Sequence, residues 1–304
     1  MERSGFLQKV ISIIIPVYND AEAIEDTLLR IKKNKIDNYT KEVIVVDNGS
    51  TDETVEIVKR YNDVKLLFEY NYLNSPYSAR NRGIEVSNGD IIVLLDSTCR
   101  PSVNWLSNGV DTLTKKNADI IAGNVLFDFQ GKKSAGKIYD SLTNINMKES
   151  VERGVAKTAN LFIRKEVFNK VGMFVEGVRS GADVRWTRKA TRSDCELAYS
   201  EKAIVYKIAR TSIELIKKQW RVGLGQPEIW LEEDNFLNYR RYFSISRIMP
   251  PNLKTIIKKI SIHGTQKMKK YLIQIMLVGY FSKLTMLAAN LIGLRRVRSN
   301  KNNT

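Results

Sequence analysis

The chain of 304 residues is 43% hydrophobic and 9% aromatic, with only 6 Pro, a composition that supports a folded core and excludes a mainly disordered protein. Its formal net charge of +16 is unevenly placed, since 14 of the 49 Lys and Arg lie from residue 240 onward and no Asp or Glu follows Asp234. Long apolar segments interrupt this basic end. It therefore indicates an anionic lipid surface, rather than nucleic acid, as a partner.

Two features predict the compartment. Cys99 and Cys195 are far apart and lack CxxC spacing, which fits a reducing compartment and provides neither a disulfide framework nor a zinc site. Residues 1–8 contain no apolar segment of the kind found in a secretory signal. We therefore expect a cytoplasmic protein that is peripheral on the inner face of the cell membrane.

The first half of the chain alternates strand and helix patterns. Short β-branched runs predict buried strands, and the segments between them have helical spacing with capping residues or Pro at their starts. The predicted strands are residues 10–17, 43–46, 64–69 and 90–95, and the predicted helices are 20–33, 52–60 and 76–86. This order predicts an α/β fold with a parallel sheet and helices on both faces.

Polar residues follow three of these strands directly. The clusters are residues 18–20, 47–50 and 96–99. Ligands of such sheets bind beyond the carboxyl ends of the strands, so these clusters are the candidate site.

The second half is less regular. Its patterns predict helices at 102–116, 138–147, 165–171, 182–190 and 213–222, and strands at 119–122 and 203–206.

The apolar stretch 271–294 has helical spacing and is flanked by Lys and Arg. Its length would span a bilayer, but Lys283 near its middle would cost roughly 2.5–3.5 kcal/mol on insertion. We favour a helix lying in the membrane surface. A spanning helix and a helix packed on the rest of the protein are the alternatives.

At the strand ends the sequence resembles glycosyltransferase family 2, inverting enzymes with the GT-A fold, a mixed and mainly parallel sheet. The matching segments are Ser12-Ile-Ile-Ile-Pro-Val-Tyr-Asn19, Glu42-Val-Ile-Val-Val-Asp-Asn-Gly-Ser-Thr-Asp52, Ala79-Arg-Asn-Arg-Gly83, Gly89-Asp-Ile-Ile-Val-Leu-Leu-Asp96, Thr158-Ala-Asn-Leu-Phe-Ile-Arg164, Val171-Gly-Met-Phe174 and Ser180-Gly-Ala-Asp183. The resemblance covers roughly residues 10–225. It implies a catalytic domain at 1–225, followed by a basic, amphipathic, membrane-associating region at 226–304.

The resemblance also implies a donor site for a nucleotide diphosphate sugar. Asp47 would accept a base N–H, Asp96 would hold the ribose or a metal, and Arg80 would lie near the base and the phosphates. The turn packed beside the base would contain Pro16, Tyr18 and Asn19. Taken singly, these residues are equally well explained as a helix-capping Asp, a turn and a surface Arg.

Asp183 is the candidate general base. An inverting transfer needs a carboxylate to take the proton of the acceptor hydroxyl, and by resemblance the acid after Gly181 does so. The alternative for Asp183 is a helix cap. Trp186, one turn later, would stack on an acceptor sugar or belong to the core.

The sequence departs from the family pattern at two positions that usually bind a metal ion. Thr98 stands where the family usually has the second acid of Asp-x-Asp, and Lys207 stands where many members carry a His. Thr is a poor ligand for Mg²⁺ or Mn²⁺, so these cofactors are doubtful. Our hypothesis is that Lys207 replaces the cation and offsets the charge of the diphosphate.

The sequence as a whole predicts transfer of a sugar from a nucleotide donor to a hydroxyl of a glycan or glycolipid. A uridine diphosphate donor is the family default, and residues 216–225 resemble bacterial polysaccharide members. The competing class is a non-catalytic protein that binds nucleotide sugars or glycans. A nucleic-acid binder comes third, because no folded module with aromatics on a basic face is evident.

Overall fold

The computed structural model describes residues 9–233, 248–263 and 266–302. Among them the chain forms two compact units. The first, which we call the sheet unit, comprises Met1–Leu126, Asn146–Val178 and Ala182–Lys207. The second, the helical unit, comprises Phe127–Ile145, Arg179–Gly181 and Ile208–Thr304.

Four parallel strands form one half of the sheet. They are β1 (Lys9–Val17), β2 (Tyr39–Asp47), β3 (Val64–Phe68) and β4 (Ile91–Leu95). The strand β1 lies between β2 and β4, and β3 pairs with the outer edge of β2. The connecting helices are α1 (Ala21–Lys33), α2 (Thr54–Lys59) and α3 (Pro76–Glu85). This half confirms the predicted β-α-β order, and β2 begins four residues before its predicted start.

Four further strands complete an eight-stranded mixed sheet in the order β3-β2-β1-β4-β7-β6-β8-β5. They are β5 (Cys99–Pro101), β6 (Ile120–Asp128), β7 (Asn160–Arg164) and β8 (Leu197–Ile208). The strand β7 runs antiparallel to β4 and to β6, and β5 runs antiparallel to β8. Neither β5 nor β7 was predicted as a strand. The helices α4 (Trp105–Lys115), α6 (Met147–Val151), α7 (Glu166–Val171) and α8 (Ala182–Arg192) belong to this unit.

The helix α3 lies unusually close to the sheet at Gly83. A Cβ on Gly83 would be 2.5 Å from Cγ2 of Ile14 and 3.2 Å from Cγ2 of Val46, closer than packed carbon atoms approach. The absence of a side chain therefore brings α3 against β1 and β2, which fixes where its polar residues point.

The helical unit contains α5 (Ala135–Thr143), α9 (Ser212–Glu233), α10 (Leu253–His263), a 3₁₀ turn (Gln266–Tyr271) and α11 (Leu272–Asn302). The predicted helix 138–147 is in fact two helices, α5 and α6, one in each unit. Gly223 of α9 and Gly293 of α11 permit close packing, since a Cβ on either would be within 2.7 Å of the partner helix. Asn290 of α11 is fully buried, and neither its amide nitrogen nor its oxygen has a hydrogen-bond partner among the described residues.

One face of α11 is apolar and exposed. We call Ile273, Leu277, Phe281 and Leu291 the apolar stripe; these side chains are 50–76% exposed. They lie on one face of the helix, because Ile273, Leu277 and Phe281 are spaced by about one turn each and Leu291 is about five turns after Ile273. One helical stretch, Met268–Ser299, is long and apolar enough to cross a membrane. The division of function after residue 225 stays a prediction, and residues 234–247 of the basic region lie outside the described residues.

Candidate active site

The parallel strands bring two of the candidate acids to one edge of the sheet. Asp47 ends β2 opposite Val17 of β1, and Asp96 directly follows β4, the other neighbour of β1. With adjacent strands about 4.8 Å apart, the two acids stand roughly 10 Å apart across the sheet. Asp47 is 2% exposed, and its Oδ2 accepts the backbone N–H groups of Gly49 and Ser50 at 3.0 and 3.1 Å.

The turn after β1 lies between these acids. Pro16 is still within β1, beyond the residues that pair with β4, so its missing N–H leaves no gap in that pairing. Asn19 has a positive φ of 52°, and its Oδ1 accepts the N–H of Thr51 at 2.8 Å. The turn is thus tied to the loop after β2. The ring of Tyr18 is 42% exposed and accessible to a ligand.

Asp96 is held between two cations. Its Oδ1 accepts a 2.7 Å hydrogen bond from Arg80, whose side chain is 3% exposed, and its Oδ2 lies 3.1 Å from Nζ of Lys207. Such charge-assisted contacts are stronger than neutral hydrogen bonds. Asp96 itself is 30% exposed, so the carboxylate stays at the surface while the cations behind it are buried.

Lys207 reaches the site because β5 and β8 pair. Cys99 lies opposite Lys207 in this ladder, which places Nζ of Lys207 2.6 Å from Oγ1 of Thr98 and 3.7 Å from Sγ of Cys99. Thr98 and Lys207, the two positions at which the sequence departs from the family pattern, are therefore in contact.

Asp183 lies in the first turn of α8, after Gly181 with φ of 89°. Its Oδ1 accepts a 3.0 Å hydrogen bond from the hydroxyl of Tyr77, in the first turn of α3. Cζ of Arg80, one turn further along α3, is 5.5 Å from the centroid of the Tyr77 ring. Two residues of α3 therefore connect Asp183 with Asp96.

Trp186 lies in the core. It is 4% exposed, its Nε1 donates to the carbonyl of Gly172 at 2.7 Å, and its ring packs against Phe168 and Phe174 at centroid distances of 4.9 and 5.0 Å. A ring packed in this way has no face for a sugar. The expectation that Trp186 stacks on the acceptor therefore gives way to the core alternative.

Three further residues contribute to this edge, and sequence reasoning missed only the last of them, because Asp20 and Ser97 belong to the predicted clusters 18–20 and 96–99. Asp20 accepts a short hydrogen bond from Ser97, and burial raises the pKa of Asp20, with Asp96 adding to the effect, against its hydrogen bonds and Lys207. The third is Tyr77. Its spacing of three residues before Arg80 puts both side chains on one face of α3, which is the signal that would have found it.

The sequence is similar to a known family and to individual glycosyltransferases. The model of Glycosyl transferase family 2 matches residues 12–174. Glycosyltransferase AglE from Haloferax volcanii is 42% identical over 241 residues, which are 78% of this chain and 78% of that protein. Glycosyltransferase GlyG from Streptococcus pneumoniae is 29% identical over 141 residues, 45% of each chain.

Solved structures share the fold. The chain is similar to mannosyltransferase PcManGT from Pyrobaculum calidifontis in complex with GDP-Man and Mn²⁺, with a TM-score of 0.59 at 17% identity, over 93% of this chain and 86% of that one. It is also similar to S. aureus TarS 1–349 in complex with UDP, with a TM-score of 0.53 at 16% identity, over 95% and 91%.

The sheet, its helices and these neighbours show the GT-A fold, and the family model and the identity with AglE show that the protein is a glycosyltransferase. The chain belongs to glycosyltransferase family 2.

The residues at Asp96 do not fit a divalent cation. Mg²⁺ and Mn²⁺ need several oxygen ligands, mostly charged ones, and within the described ranges no group of three or more His, Cys, Asp or Glu is placed to hold a metal. Both oxygens of Asp96 already contact cationic side chains, and Thr98 contacts Lys207. The ammonium group of Lys207 contacts both Asp96 and Thr98.

Proposed function

We propose that this enzyme transfers a sugar, with inversion, from a nucleotide diphosphate sugar to a hydroxyl group of a glycan or a lipid-linked acceptor. The observation that carries the proposal is the contact series Asp183, Tyr77, Arg80, Asp96 and Lys207. It links a candidate base for the acceptor with cations for the leaving group within one unit. The structural neighbours in complex with GDP-Man and UDP support a nucleotide-sugar donor, and we favour a uridine diphosphate sugar.

In this proposal the strand ends bind the donor. The carboxylate of Asp47 accepts an N–H of the base, beside Tyr18, and Asp96 accepts the ribose hydroxyls. Arg80 and Lys207 then lie on the phosphate side of the nucleoside, where two positive charges oppose the charge of the diphosphate.

Asp183 acts on the acceptor. Its carboxylate takes the proton as the acceptor oxygen forms a bond to the anomeric carbon, while the bond from that carbon to the phosphate oxygen breaks. The electron pair of the broken bond leaves with the nucleoside diphosphate. Lys207 stabilises the negative charge that develops there, so transfer proceeds without a divalent cation.

A thermal-shift screen with UDP-glucose, UDP-N-acetylglucosamine and GDP-mannose tests the donor proposal. At least one should raise the melting temperature equally in EDTA and in Mn²⁺, because ligands that bind only the folded state stabilise it. The selected nucleotide sugar then serves in a hydrolysis assay, and an absolute requirement for Mn²⁺ would defeat the role given to Lys207.

The base is tested by Asp183→Asn. We expect hydrolysis to fall by about 10³-fold or more while donor binding is retained. Asp111→Asn, at an exposed acid of α4, is the control and should leave both unchanged. If the protein binds the donor but neither the wild type nor the variants show turnover, it is instead a nucleotide-sugar-binding protein.

We further propose that the helical unit holds the enzyme on an anionic membrane, as suits assembly of a cell-surface polysaccharide. The apolar stripe of α11 is exposed, Lys270 precedes it and Arg295 follows it, and Lys283 donates to the carbonyl of Met249 at 2.8 Å. An exposed apolar face with cations at both ends suits a helix lying in the interface.

Sedimentation with vesicles tests this part. We expect binding to anionic but not to neutral vesicles, weakened by salt and lost on truncation after Asn252. Release by alkaline carbonate would support the in-plane helix, and retention would support a spanning one.

A further inference from the structure

The two oxygens of the Asp183 carboxylate have different surroundings. Oδ1 accepts hydrogen bonds from the hydroxyl of Tyr77 at 3.0 Å and from the N–H of Val184 at 2.9 Å. Oδ2 has no hydrogen bond from any residue that the structure describes. One oxygen is therefore held in place by two donors, while the other accepts no hydrogen bond within the described part of the chain.

The hydroxyl of Tyr77 is suited to hold a carboxylate. Its side chain is 5% exposed, and burial, followed by the charge of Asp183, raises the pKa of Tyr77 well above its ordinary value of 10.0. The phenol therefore holds its proton more strongly than an exposed tyrosine does, and its hydroxyl donates to Asp183.

The ring of Tyr77 is itself fixed. Phe174 packs against it at a centroid distance of 5.9 Å, and the guanidinium of Arg80 lies over its face at 5.5 Å. Tyr77 also lies in the first turn of α3, a helix that packs closely against the sheet because Gly83 has no side chain. A donor with so little freedom can fix the rotamer of the group to which it is bonded.

We infer that Tyr77 is a positioning residue: it holds Oδ1 of Asp183 so that Oδ2 faces the acceptor hydroxyl. The inference rests on the proposed role of Asp183 as base and adds the residue that orients it. Oδ2 takes the proton of the acceptor, and Tyr77 keeps its own proton throughout. Because its ring also supports Arg80, Tyr77 couples the position of the base to that of the donor.

The test is Tyr77→Phe, which removes one oxygen atom and keeps the ring. Misplacing a base by about 1 Å can cost 10²-fold in rate, so we expect kcat for hydrolysis of the selected nucleotide sugar to fall by about 10- to 100-fold. The dissociation constant for that nucleotide sugar should stay within about twofold, because the ring under Arg80 remains. Tyr139→Phe, at a buried tyrosine of the helical unit, is the control and should leave kcat unchanged.

A second arm separates this inference from the proposed function. In an Asp183→Asn background, Tyr77→Phe should leave the residual rate unchanged, since it acts only through Asp183. A wild-type kcat for Tyr77→Phe would overturn the inference, and so would a loss of donor affinity at constant kcat, which would assign Tyr77 to Arg80 alone. An active Asp183→Asn enzyme would instead defeat the proposed base.

Discussion

Two fully buried asparagines, one in each unit, differ in their hydrogen bonds. Asn160 in the sheet unit is fully buried, and its amide accepts from Nε1 of Trp105 and donates to the carbonyls of Asn124 and Ala203. Asn290 in the helical unit is equally buried but has no partner among the described residues. Hydrogen bonds therefore offset the cost of burying the amide at Asn160, whereas at Asn290 no described residue does so.

Lysine follows the same division. Lys207 in the sheet unit is 4% exposed and contacts Asp96 and Thr98. In the helical unit Lys270, Arg295 and Arg296 are exposed, with no acid in the sequence beyond Asp234. The buried cation is little affected by salt, while exposed cations are screened by it. Cationic side chains are thus buried and paired at Lys207 of the sheet unit, but exposed to screening by salt at Lys270, Arg295 and Arg296 of the helical unit.

The largest expected effect concerns the fixed charge. Lys207→Ala should lower kcat by about 10²- to 10³-fold, because preorganised charge at a leaving group contributes several kcal/mol. Hydrolysis of the selected nucleotide sugar measures it. Lys202→Ala, at an exposed lysine of the same strand, should have no effect. Comparable rates in the two variants would remove the distinction between the two kinds of cation.

Metal dependence can be introduced at the same position. Thr98→Asp combined with Lys207→His replaces the ammonium by two metal ligands beside Asp96. We expect the double variant to be stimulated by Mn²⁺ by about tenfold or more, measured as hydrolysis with and without EDTA. Indifference to Mn²⁺ would show that the ammonium does not stand in for a metal.

The next largest effect is expected from a substitution in the apolar stripe. Phe281→Asp removes one exposed aromatic anchor whose burial in lipid would contribute about 1.5–3 kcal/mol, so the fraction bound to anionic vesicles should fall by about tenfold or more. Val103→Asp, at an apolar residue of the sheet unit that is 74% exposed, is the matched control. Equal losses would mean that α11 is not the lipid-binding face.

The two asparagines give the direct test of the comparison. Asn160→Ala should lower the free energy of unfolding by about 2–3 kcal/mol, because it leaves the buried N–H of Trp105 and two buried carbonyls without partners. Asn290→Ala removes an amide of the same size without such losses and should change it by less than about 1 kcal/mol. Denaturant unfolding measures both, and similar costs would contradict the division.

The smallest effect is a pH dependence at Glu42 of the sheet unit. Burial acts to raise the pKa of Glu42, but hydrogen bonds from Ser12 and from Asn88 outweigh it and the pKa is lowered. A lowered carboxyl pKa contributes stability above the unfolded value of about 4.3 and loses it as pH falls. Glu42→Gln should therefore destabilise at pH 7, and the difference from wild type should shrink below about pH 5. A constant difference would exclude this linkage.

The sequence predicted the parallel half of the sheet well, because β1, β2 and β4 contain short apolar runs rich in β-branched residues, which favour buried strands. It missed β5, which has only three residues, and β7, whose first residue is the buried polar Asn160. Both join the sheet through antiparallel pairing with distant strands, which local periodicity does not encode.

The candidate site was predicted in the same uneven way. Asp47 and Asp96 were predicted from motifs at the ends of β2 and β4, and Arg80 was predicted from a motif in α3. Tyr77 was missed because its partner Asp183 lies 106 residues away. Trp186 was ambiguous because a tryptophan one turn after a candidate base suits a sugar or a core equally, and only its packing against Phe168 and Phe174 decides between them.

Gly83 has a consequence for how this enzyme can vary. Any side chain at residue 83 would push α3 away from β1 and β2, and Tyr77 and Arg80 would move with the helix. A single added methyl group would therefore displace the residue that orients Asp183 and the arginine proposed to bind the donor. A change at residue 83 is therefore expected to impair acceptor activation and donor binding together, although Gly83 belongs to neither proposed binding site.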